Sequence, residues 1–419
     1  MRFGLLYHLQ VPRPWTEGSE EKVIREALEQ IELADRVGFD YVWATEHHFL
    51  DEYSHSSAPE VLLAAAAAKT ERIRLAHGIV TLPPAVNHPA RVAERLAMLD
   101  LVSGGRVDFG SGQGSTQHEL GGFGVERATK REQWREAITV ITRMLTEVPF
   151  TGHQGQWIDM PPRNVLPKPK QKPHPPLWVA CSSPETIAAA ARYGMGALSL
   201  AFITVEEAAE WVRSYYELIA SDECVPIGKA VNPNFSVVMP FMCHSDAETA
   251  LDRGLDGAYS LFYGFMHYYL NGQHYPGKTD LAAEFAQARE MVGLTRNSNA
   301  DLNPELKARI DSLRMGIGTP SQLKDMIRAY EDAGVDQIIF QTQIGTTKHE
   351  HICEALELFG SEVIPEFAGR REAGDAAKQE RLAVPIKEAL GRIEPNTTDV
   401  SDYVIMTDMQ APPAPAPGR

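Results

Sequence analysis

Residues 45–49 (TEHHF) place a glutamate and two histidines in consecutive positions, directly after a short apolar stretch. Histidine titrates near neutral pH, so His47 could accept or donate a proton at a reacting centre, with Glu46 setting its charge state. A metal site is one alternative. However, adjacent histidines do not easily reach one metal, and no second His/Asp/Glu cluster completes a ligand set. A pair of ordinary polar loop residues is the other alternative.

Two glycine-containing segments also begin within predicted strands and continue beyond them. Residues 76–89 (AHGIVTLPPAVNHP) include Gly78, where the missing side chain permits close approach of a ligand to the backbone. Residues 108–115 (DFGSGQGS) resemble a phosphate loop, but the GxGxxG spacing and the Walker lysine are absent. Each segment is a weak signal alone, because prolines and glycines are common in loops.

The segment ACSSPETI has the composition of a helix start. Ser182 or Ser183 would cap the helix, with Pro184 as an early helical residue. A helix start offers free backbone amides and a favourable dipole to an anion. A plain capped helix is the more common outcome for such a motif, so the predicted anion site depends on where the fold places it.

Composition excludes several classes of function. The 419 residues have a formal net charge of −16, which argues against nucleic-acid binding and against a polybasic membrane contact. Four widely separated cysteines without a CxxC pair offer neither a zinc nor a disulfide framework and fit a reducing compartment. No signal-peptide pattern or apolar run of about 20 residues is present, so a cytoplasmic protein is expected.

Strand-like and helix-like segments alternate along the chain, which predicts parallel strands joined by helices. The predicted strands span 3–8, 41–44, 73–82, 106–110, 177–181, 197–202, 234–243 and 337–342. The predicted helices span 20–37, 59–70, 89–102, 130–145, 184–193, 205–220, 323–333 and 350–359. Eight strands favour an α/β fold of the (β/α)₈ TIM-type barrel, with an open doubly wound sheet as the alternative.

Two regions depart from the alternation. Residues 244–317 are too long for a simple helical crossing and predict an insertion after the seventh strand, with an aromatic-rich middle at 258–277. Residues 1–367 would form the barrel domain. Residues 368–419 would form a carboxyl-terminal extension that begins with charged helix and ends in a disordered Pro/Ala-rich tail.

Seven collinear segments resemble the bacterial-luciferase-like family of flavin-dependent monooxygenases, and they extend from residue 2 to about residue 367. EHHF, HPARVAE and SGGRVDFG are the most specific of their motifs. The segments are RFGLL, GFDYVWATEHHF, IRLAHGIVTLPPAVNHPARVAERLAMLDLVSGGRVDFGSGQG, TKREQWREAI, LWVACSSPET, GTPSQLKDMIRAYEDAGVDQIIFQTQ and LELFGSEVIPEF.

The resemblance implies a barrel that binds reduced FMN, and it assigns roles residue by residue. His47 matches the active-site histidine, and Gly78–Ile79 matches a non-proline cis peptide under the flavin ring. Gln113 stands where luciferase has a phosphate-binding arginine, a departure that removes a charge. The remaining assignments are Arg131, Ser182 and Ser183 near the FMN phosphate, and Phe262, Phe265 and Tyr268 in a mobile lid that lines the substrate pocket. Simple packing of inserted helices is the alternative for this aromatic segment.

The implied reaction oxygenates a small, apolar organic substrate with O₂ through a 4a-(hydro)peroxyflavin. The sequence shows no NAD(P)H fingerprint, so a separate NAD(P)H-dependent reductase would supply the reduced flavin. A homodimer is expected, paired through helices that include residues 59–70. The alternatives are a deazaflavin-dependent hydride-transfer enzyme and a flavin-binding, non-catalytic partner subunit.

Overall fold

The computed structural model describes residues 1–292 and 310–406. The Pro/Ala-rich tail lies at residues 407–419, outside the described residues, as does part of the predicted insertion. Within the described chain, parallel strands form a closed eight-stranded barrel surrounded by helices, which confirms the predicted (β/α)₈ fold. No helix in these two ranges is both long and apolar enough to cross a membrane.

The barrel strands neighbour one another in the order β1-β2-β3-β5-β8-β9-β10-β13, and β13 pairs with β1 to close the sheet. These strands are β1 (Arg2–Tyr7), β2 (Tyr41–Ala44), β3 (Arg74–His77), β5 (Val107–Gly112), β8 (Leu177–Cys181), β9 (Gly196–Ser199), β10 (Phe235–Pro240) and β13 (Gln337–Gln341). The short strand β4 (Val80–Thr81) extends the sheet beside β5. Two small pairs lie outside the barrel: β6 (His153–Gln154) with β7 (Asp159–Met160), and β11 (Met242–Cys243) with β12 (Ile317–Gly318).

Helices follow the strands and cover the outside of the barrel. They are α1 (Ser19–Val37), α2 (Pro59–Lys69), α3 (Pro89–Val102), α4 (Gln117–Gly122), α5 (Lys130–Thr146), α6 (Pro184–Arg192), α7 (Val205–Ile219), α8 (Ala247–Met266), α9 (Leu281–Val292), α10 (Pro320–Asp332), α11 (His349–Glu362) and α12 (Ile364–Gly391). Their apolar faces pack on the outward side chains of the strands, because successive strand residues point to opposite faces. The inward side chains form a separate small core that includes Leu6, Trp43, Trp178 and Ile339.

Two predicted strands are interrupted. The predicted strand at 73–82 is divided into β3 and β4 at the Gly78-Ile79 peptide, which is cis. The predicted strand at 234–243 is likewise divided into β10 and β11. The periodicity of apolar residues does not reveal such interruptions, because the side chains on either side remain apolar and buried.

The predicted insertion begins with α8, continues through a single π-helical turn, His267–Asn271, and reaches α9. We call residues 247–292 the lid segment. Glu52, which follows β2, anchors the start of α9 within this segment. Its carboxylate accepts hydrogen bonds from the backbone N–H groups of Leu281 (2.6 Å) and Ala282 (3.2 Å). At the opposite end of the barrel, α12 is held by Arg371, which donates to Asp40 (2.6 Å).

Candidate active site

His47 lies just beyond β2, at the carboxyl end of the barrel where active sites of this fold are found. Its Nδ1 is 3.0 Å from Oε1 of Glu119 on α4. The same oxygen accepts the backbone N–H of His48 (3.1 Å), and the other carboxylate oxygen accepts the hydroxyl of Thr116 (2.6 Å). Three donors therefore fix the carboxylate, and the carboxylate in turn fixes the imidazole of His47.

The charge of the Glu119 carboxyl group follows from its surroundings. Burial by itself raises the pKa of the Glu119 carboxyl, but the nearby His47 and the hydrogen bonds from His47, Thr116 and His48 outweigh burial and lower it. Glu119 is therefore an anion near neutral pH. An anionic acceptor keeps the proton on Nδ1 of His47, which leaves Nε2 as the nitrogen available for proton transfer.

The sequence predicted that Glu46 would set the charge state of His47, but the structure does not place the two side chains in contact. Glu46 is buried, and its carboxylate contacts His48 (3.0 Å), the amide of Asn87 (2.7 Å) and the backbone N–H of Thr81 (2.9 Å). These contacts tie the loop after β2 to the chain just beyond the cis peptide. In this arrangement Glu46 positions two backbone segments, and the carboxylate paired with His47 is Glu119.

Small residues line the barrel beneath this site. A Cβ atom at Gly78 would lie 2.9 Å from Cδ1 of Leu6, and one at Gly112 would lie 2.6 Å from Cδ1 of Ile79. At Gly110 a Cβ would lie 2.0 Å from the carbonyl oxygen of His77, a backbone atom that cannot move aside. Glycine at these positions allows the neighbouring backbone and the side chains of Leu6 and Ile79 to pack closely around the Gly78-Ile79 peptide.

A group of cations lies where the β5 loop meets the start of α5. Lys130 donates to the carbonyl oxygen of Gly114 (2.6 Å), next to Gln113, and Arg127 donates to the carbonyl oxygen of Ser115 (3.3 Å). In the described part of the chain, neither cation has a carboxylate within ion-pair distance. Burial, together with the charge of Arg127, lowers the pKa of Lys130 to about 8.

Arg131 is exposed, and it lies close enough to the start of α6 to affect Glu185. A hydrogen bond from Ser183 is the main cause that lowers the pKa of the Glu185 carboxyl, and Arg131 contributes to the same effect. The fold therefore brings Arg131 near the start of α6, where Ser183 lies, although the two residues are 52 positions apart in the sequence. Both were predicted to lie near a phosphate.

The start of α6 differs in detail from the predicted anion site. Ser183 is the N-cap residue, and Thr186 completes a capping box with it. The backbone N–H groups of Ser182 and Ser183 both donate to Oγ1 of Thr186, each at 3.0 Å. These two amides are therefore already paired, and the part of Ser182 that remains available to an anion is its exposed side chain.

The lid segment brings its aromatic residues onto the loops at the mouth of the barrel. Phe262 and Phe265 each lie 6.3 Å from Phe202, beyond β9, in edge-to-face contact. Tyr268 lies 5.8 Å from Tyr53 and 5.2 Å from His118, the neighbour of Glu119 on α4. All three predicted substrate-pocket residues thus contact the mouth, although Phe262 and Phe265 lie on a different side from Tyr268.

Sequence reasoning missed Glu119 and Lys130. A local signal for the first exists: residues 116–119 (TQHE) match the capping-box pattern that begins a helix, and Thr116 does cap α4. The pattern predicts the helix but not its contact with His47, which is 72 positions away. No local sequence pattern identifies Lys130, because its lack of a carboxylate partner results only from the fold.

No cluster of three or more metal-ligating side chains occurs among the described residues.

The model of the luciferase-like monooxygenase family matches residues 1–337, which is most of the chain. The chain belongs to the luciferase-like monooxygenase family. Its predicted family resemblance is thereby confirmed, and the chain is an enzyme of this family.

Named relatives of this luciferase-like monooxygenase are also oxygenases. Limonene 1,2-monooxygenase of Rhodococcus erythropolis is 29% identical, with 85% of each chain covered. The oxygenase component of the flavin-dependent trigonelline monooxygenase of Acinetobacter baylyi is 24% identical over 88% of this chain and 96% of its own.

Solved structures support the fold of this luciferase-like chain, but they do not distinguish between two possible cofactors. The oxygenating constituent of 3,6-diketocamphane monooxygenase from Pseudomonas putida, in complex with FMN, has a TM-score of 0.66, 21% identity, and coverage of 87% and 98%. The coenzyme F420-dependent tetrahydromethanopterin reductase from Methanopyrus kandleri has a TM-score of 0.60, 21% identity, and coverage of 87% and 99%. At this identity the two matches show a shared fold alone.

Proposed function

We propose that this protein is the oxygenase component of a two-component flavin monooxygenase, which uses reduced FMN and O₂ to oxygenate a small, largely apolar organic substrate. The observation that supports this function best is the His47–Glu119 pair at the mouth of the barrel, a histidine whose tautomer is fixed by a buried anion. Such a pair suits proton transfer at a reacting centre.

The residues present fit FMN. Arg127 and Lys130 lack carboxylate partners among the described residues, and Arg131 follows Lys130 at the start of α5, so an anion such as the FMN phosphate would give this group of cations a charged partner. Gln113 adjoins the same loop. We place the flavin ring against the cis Gly78-Ile79 peptide, as the family resemblance implies.

Bound reduced FMN would supply the electrons that activate O₂. The chain's own residues would transfer the proton and exclude water. His47 would hold or move a proton at Nε2, while Glu119 keeps its imidazole in one orientation. The aromatic residues of the lid segment would exclude water from the mouth, which protects a reactive centre from side reactions.

A separate reductase is part of this proposal. The related trigonelline enzyme is named as an oxygenase component, which indicates a second component in that system. The chain shows no nicotinamide-binding fingerprint of its own. We therefore propose that an NAD(P)H-dependent flavin reductase supplies reduced FMN to this protein.

The direct test is anaerobic titration with reduced FMN, followed by rapid mixing with air-saturated buffer while absorbance is recorded. We expect stoichiometric binding and a flavin oxidation that is slower on the protein than in free solution, with a slow phase that shortens in a His47→Ala variant. Stoichiometric binding without substrate-dependent turnover would instead support the non-catalytic partner.

A deazaflavin-dependent hydride-transfer enzyme is the second candidate, because F420-dependent proteins share this fold. The same experiment separates the two. Weak binding of reduced FMN, together with tight binding of a reduced deazaflavin that is stable in air, would contradict the oxygenase and support hydride transfer.

The cation group predicts a pH dependence of FMN binding. Lys130 has a pKa lowered to about 8, so it loses its proton as the pH rises above that value and attracts phosphate less. We expect the Kd for FMN, measured by fluorescence quenching, to rise between pH 7 and pH 9. A Lys130→Met variant should bind FMN about tenfold more weakly at pH 7, which corresponds to one lost charge-assisted hydrogen bond, and should show a smaller pH effect.

Arg135 provides the matched control, since it is exposed on the same helix one turn further from the phosphate-binding loop. An Arg135→Gln variant should retain wild-type affinity and pH dependence. If Lys130→Met and Arg135→Gln behave alike, the phosphate does not bind at the start of α5.

We also propose that the protein is a homodimer through α2 and α3. Four large apolar side chains on these helices are exposed: Val61 (66%), Met98 (53%), Leu101 (44%) and Val102 (58%). A patch of this kind commonly marks an interface between chains. A Met98→Glu variant is expected to elute as a monomer in size-exclusion chromatography with light scattering, because a buried unpaired charge disfavours the interface.

A suitable control is Val384→Glu, which changes an exposed apolar residue (65%) on α12. It should leave the oligomeric state unchanged. A wild-type protein that is monomeric at micromolar concentration would contradict the dimer directly.

A further inference from the structure

His8 and Gln341 form a polar pair at the same end of the barrel as His47. His8 follows β1 and Gln341 ends β13, and these strands are neighbours across the closure of the sheet. The amide Nε2 of Gln341 donates to Nε2 of His8 (2.9 Å), which leaves Nδ1 of His8 carrying the ring proton. The His8 side chain is 6% exposed and that of Gln341 is 3% exposed.

Each member of this pair keeps one polar atom without a partner: Nδ1 of His8 and Oε1 of Gln341. One is a hydrogen-bond donor and the other an acceptor. Exchanging the amide atoms and the ring tautomer would only reverse these roles, so the pair offers one donor and one acceptor in either case. Leaving two such buried atoms unpaired costs about 1–3 kcal/mol each, which a ligand with the complementary groups would recover.

The pair is electrically neutral and lies beside the proposed reacting centre. Burial, together with the nearby His47, lowers the pKa of His8 to about 3, so its imidazole is uncharged at neutral pH. The ring of His8 stacks against the ring of His47 at 5.7 Å between centroids. His8 also lies 5.3 Å from the ring of Tyr53, which contacts His47 as well as Tyr268 and Tyr269 of the lid segment.

We propose that His8 and Gln341 bind a neutral hydrogen-bonding group of the substrate, such as a carbonyl, hydroxyl or amide, next to His47. The inference rests on the proposed function and narrows the substrate class from apolar molecules in general to those with such a group. A charged group is disfavoured because neither residue offers a compensating charge, and a pure hydrocarbon is disfavoured because both polar atoms would remain unpaired.

Access to the pair depends on the lid segment. Nδ1 of His8 and Oε1 of Gln341 are sealed from solvent in this structure. Because Tyr53 contacts His8 and also packs on Tyr268 and Tyr269, we infer that substrate entry involves movement of Tyr53 together with this part of the lid. The pair is thus a site inside the closed mouth rather than a surface contact.

Gln337 supplies a matched control, because it lies at the other end of the same strand. It is 1% exposed, and both of its amide atoms also lack partners. It pairs in register with Arg2 at the amino-terminal end of the barrel, away from His47. A substitution there has a similar effect on barrel packing without reaching the proposed subsite.

The experiment compares the full-length wild type, Gln341→Met and Gln337→Met, each saturated with FMN so that the flavin site is occupied. Ligand-observed NMR titrations measure the affinity for four six-membered-ring probes: 2-piperidone, cyclohexanone, cyclohexane and cyclohexanecarboxylate. We expect the wild type and Gln337→Met to prefer the two neutral polar probes over cyclohexane and over the carboxylate. Gln341→Met should lose about tenfold in affinity for 2-piperidone and keep its affinity for cyclohexane.

Three outcomes would overturn the proposal: a wild type without preference for the polar probes, equal losses in Gln341→Met and Gln337→Met, or a Gln341→Met variant whose main defect is weaker FMN binding. The last result would mean that the pair binds the flavin rather than the substrate. If Gln341→Met does not fold, His8→Phe must show the same selective loss. Probe selectivity is measured without turnover, so its failure is distinguishable from failure of the oxygenase assignment.

Discussion

A His47→Ala variant is expected to lose about 10²–10⁴-fold in the rate of substrate oxygenation, the usual contribution of a positioned general acid or base. The reason is geometric: among the residues at the mouth, His47 has its Nδ1 fixed by Glu119 and its Nε2 left for proton transfer. Single-turnover kinetics with pre-reduced FMN and air-saturated buffer would measure the rate without a contribution from the reductase. The affinity for FMN should change little.

A second histidine–carboxylate pair provides the control for this variant. Nε2 of His153 lies 3.1 Å from the carboxylate of Glu136, at the junction of α5 and the β6–β7 hairpin, outside the mouth. A His153→Ala variant should oxygenate substrate at the wild-type rate. If His47→Ala retains wild-type kinetics, proton transfer must be assigned to another group.

A Glu119→Gln variant is expected to oxygenate substrate about 10- to 100-fold more slowly, because it replaces a charged acceptor of His47 with a neutral one of the same shape. Glu119 acts through His47, so it is a positioning residue. A purely structural role would leave the pH profile of the reaction unchanged, whereas loss of the anion beside His47 should shift that profile. The pH dependence of kcat, compared between the two proteins, therefore distinguishes the two roles.

The same variant also has a predicted effect on acid stability. The pKa of the Glu119 carboxyl lies below its ordinary value of 4.5, so the folded protein binds fewer protons there than the unfolded chain does. This contribution to the free energy of unfolding is complete above pH 4.5 and is lost as the pH falls through the folded-state pKa. Thermal melting of both proteins from pH 7 to pH 3 should show a smaller loss of stability at the acid end in Glu119→Gln than in the wild type.

The sequence was informative where local rules act. Hydrophobic runs and helix caps predicted eight strands and the helices between them, because burial of one face imposes a periodicity that is visible without the fold. The His47 motif was identified for a related reason: in a barrel, the residue that follows a strand necessarily lies at the mouth. The carboxyl end of each predicted strand was thus a candidate position before any contact was known. The Gly78–Ile79 position, which falls within a predicted strand, was identified through the family resemblance.

The side-chain pairs were decided only by the tertiary structure. Glu46 precedes His47 in the sequence, yet adjacent residues on an extended segment point in different directions, and the carboxylate that reaches His47 comes from α4. His8 and Gln341 are 333 positions apart and meet only because β13 closes the barrel against β1. Sequence periodicity determines which elements form, whereas barrel closure and loop geometry determine which polar side chains come within hydrogen-bonding distance.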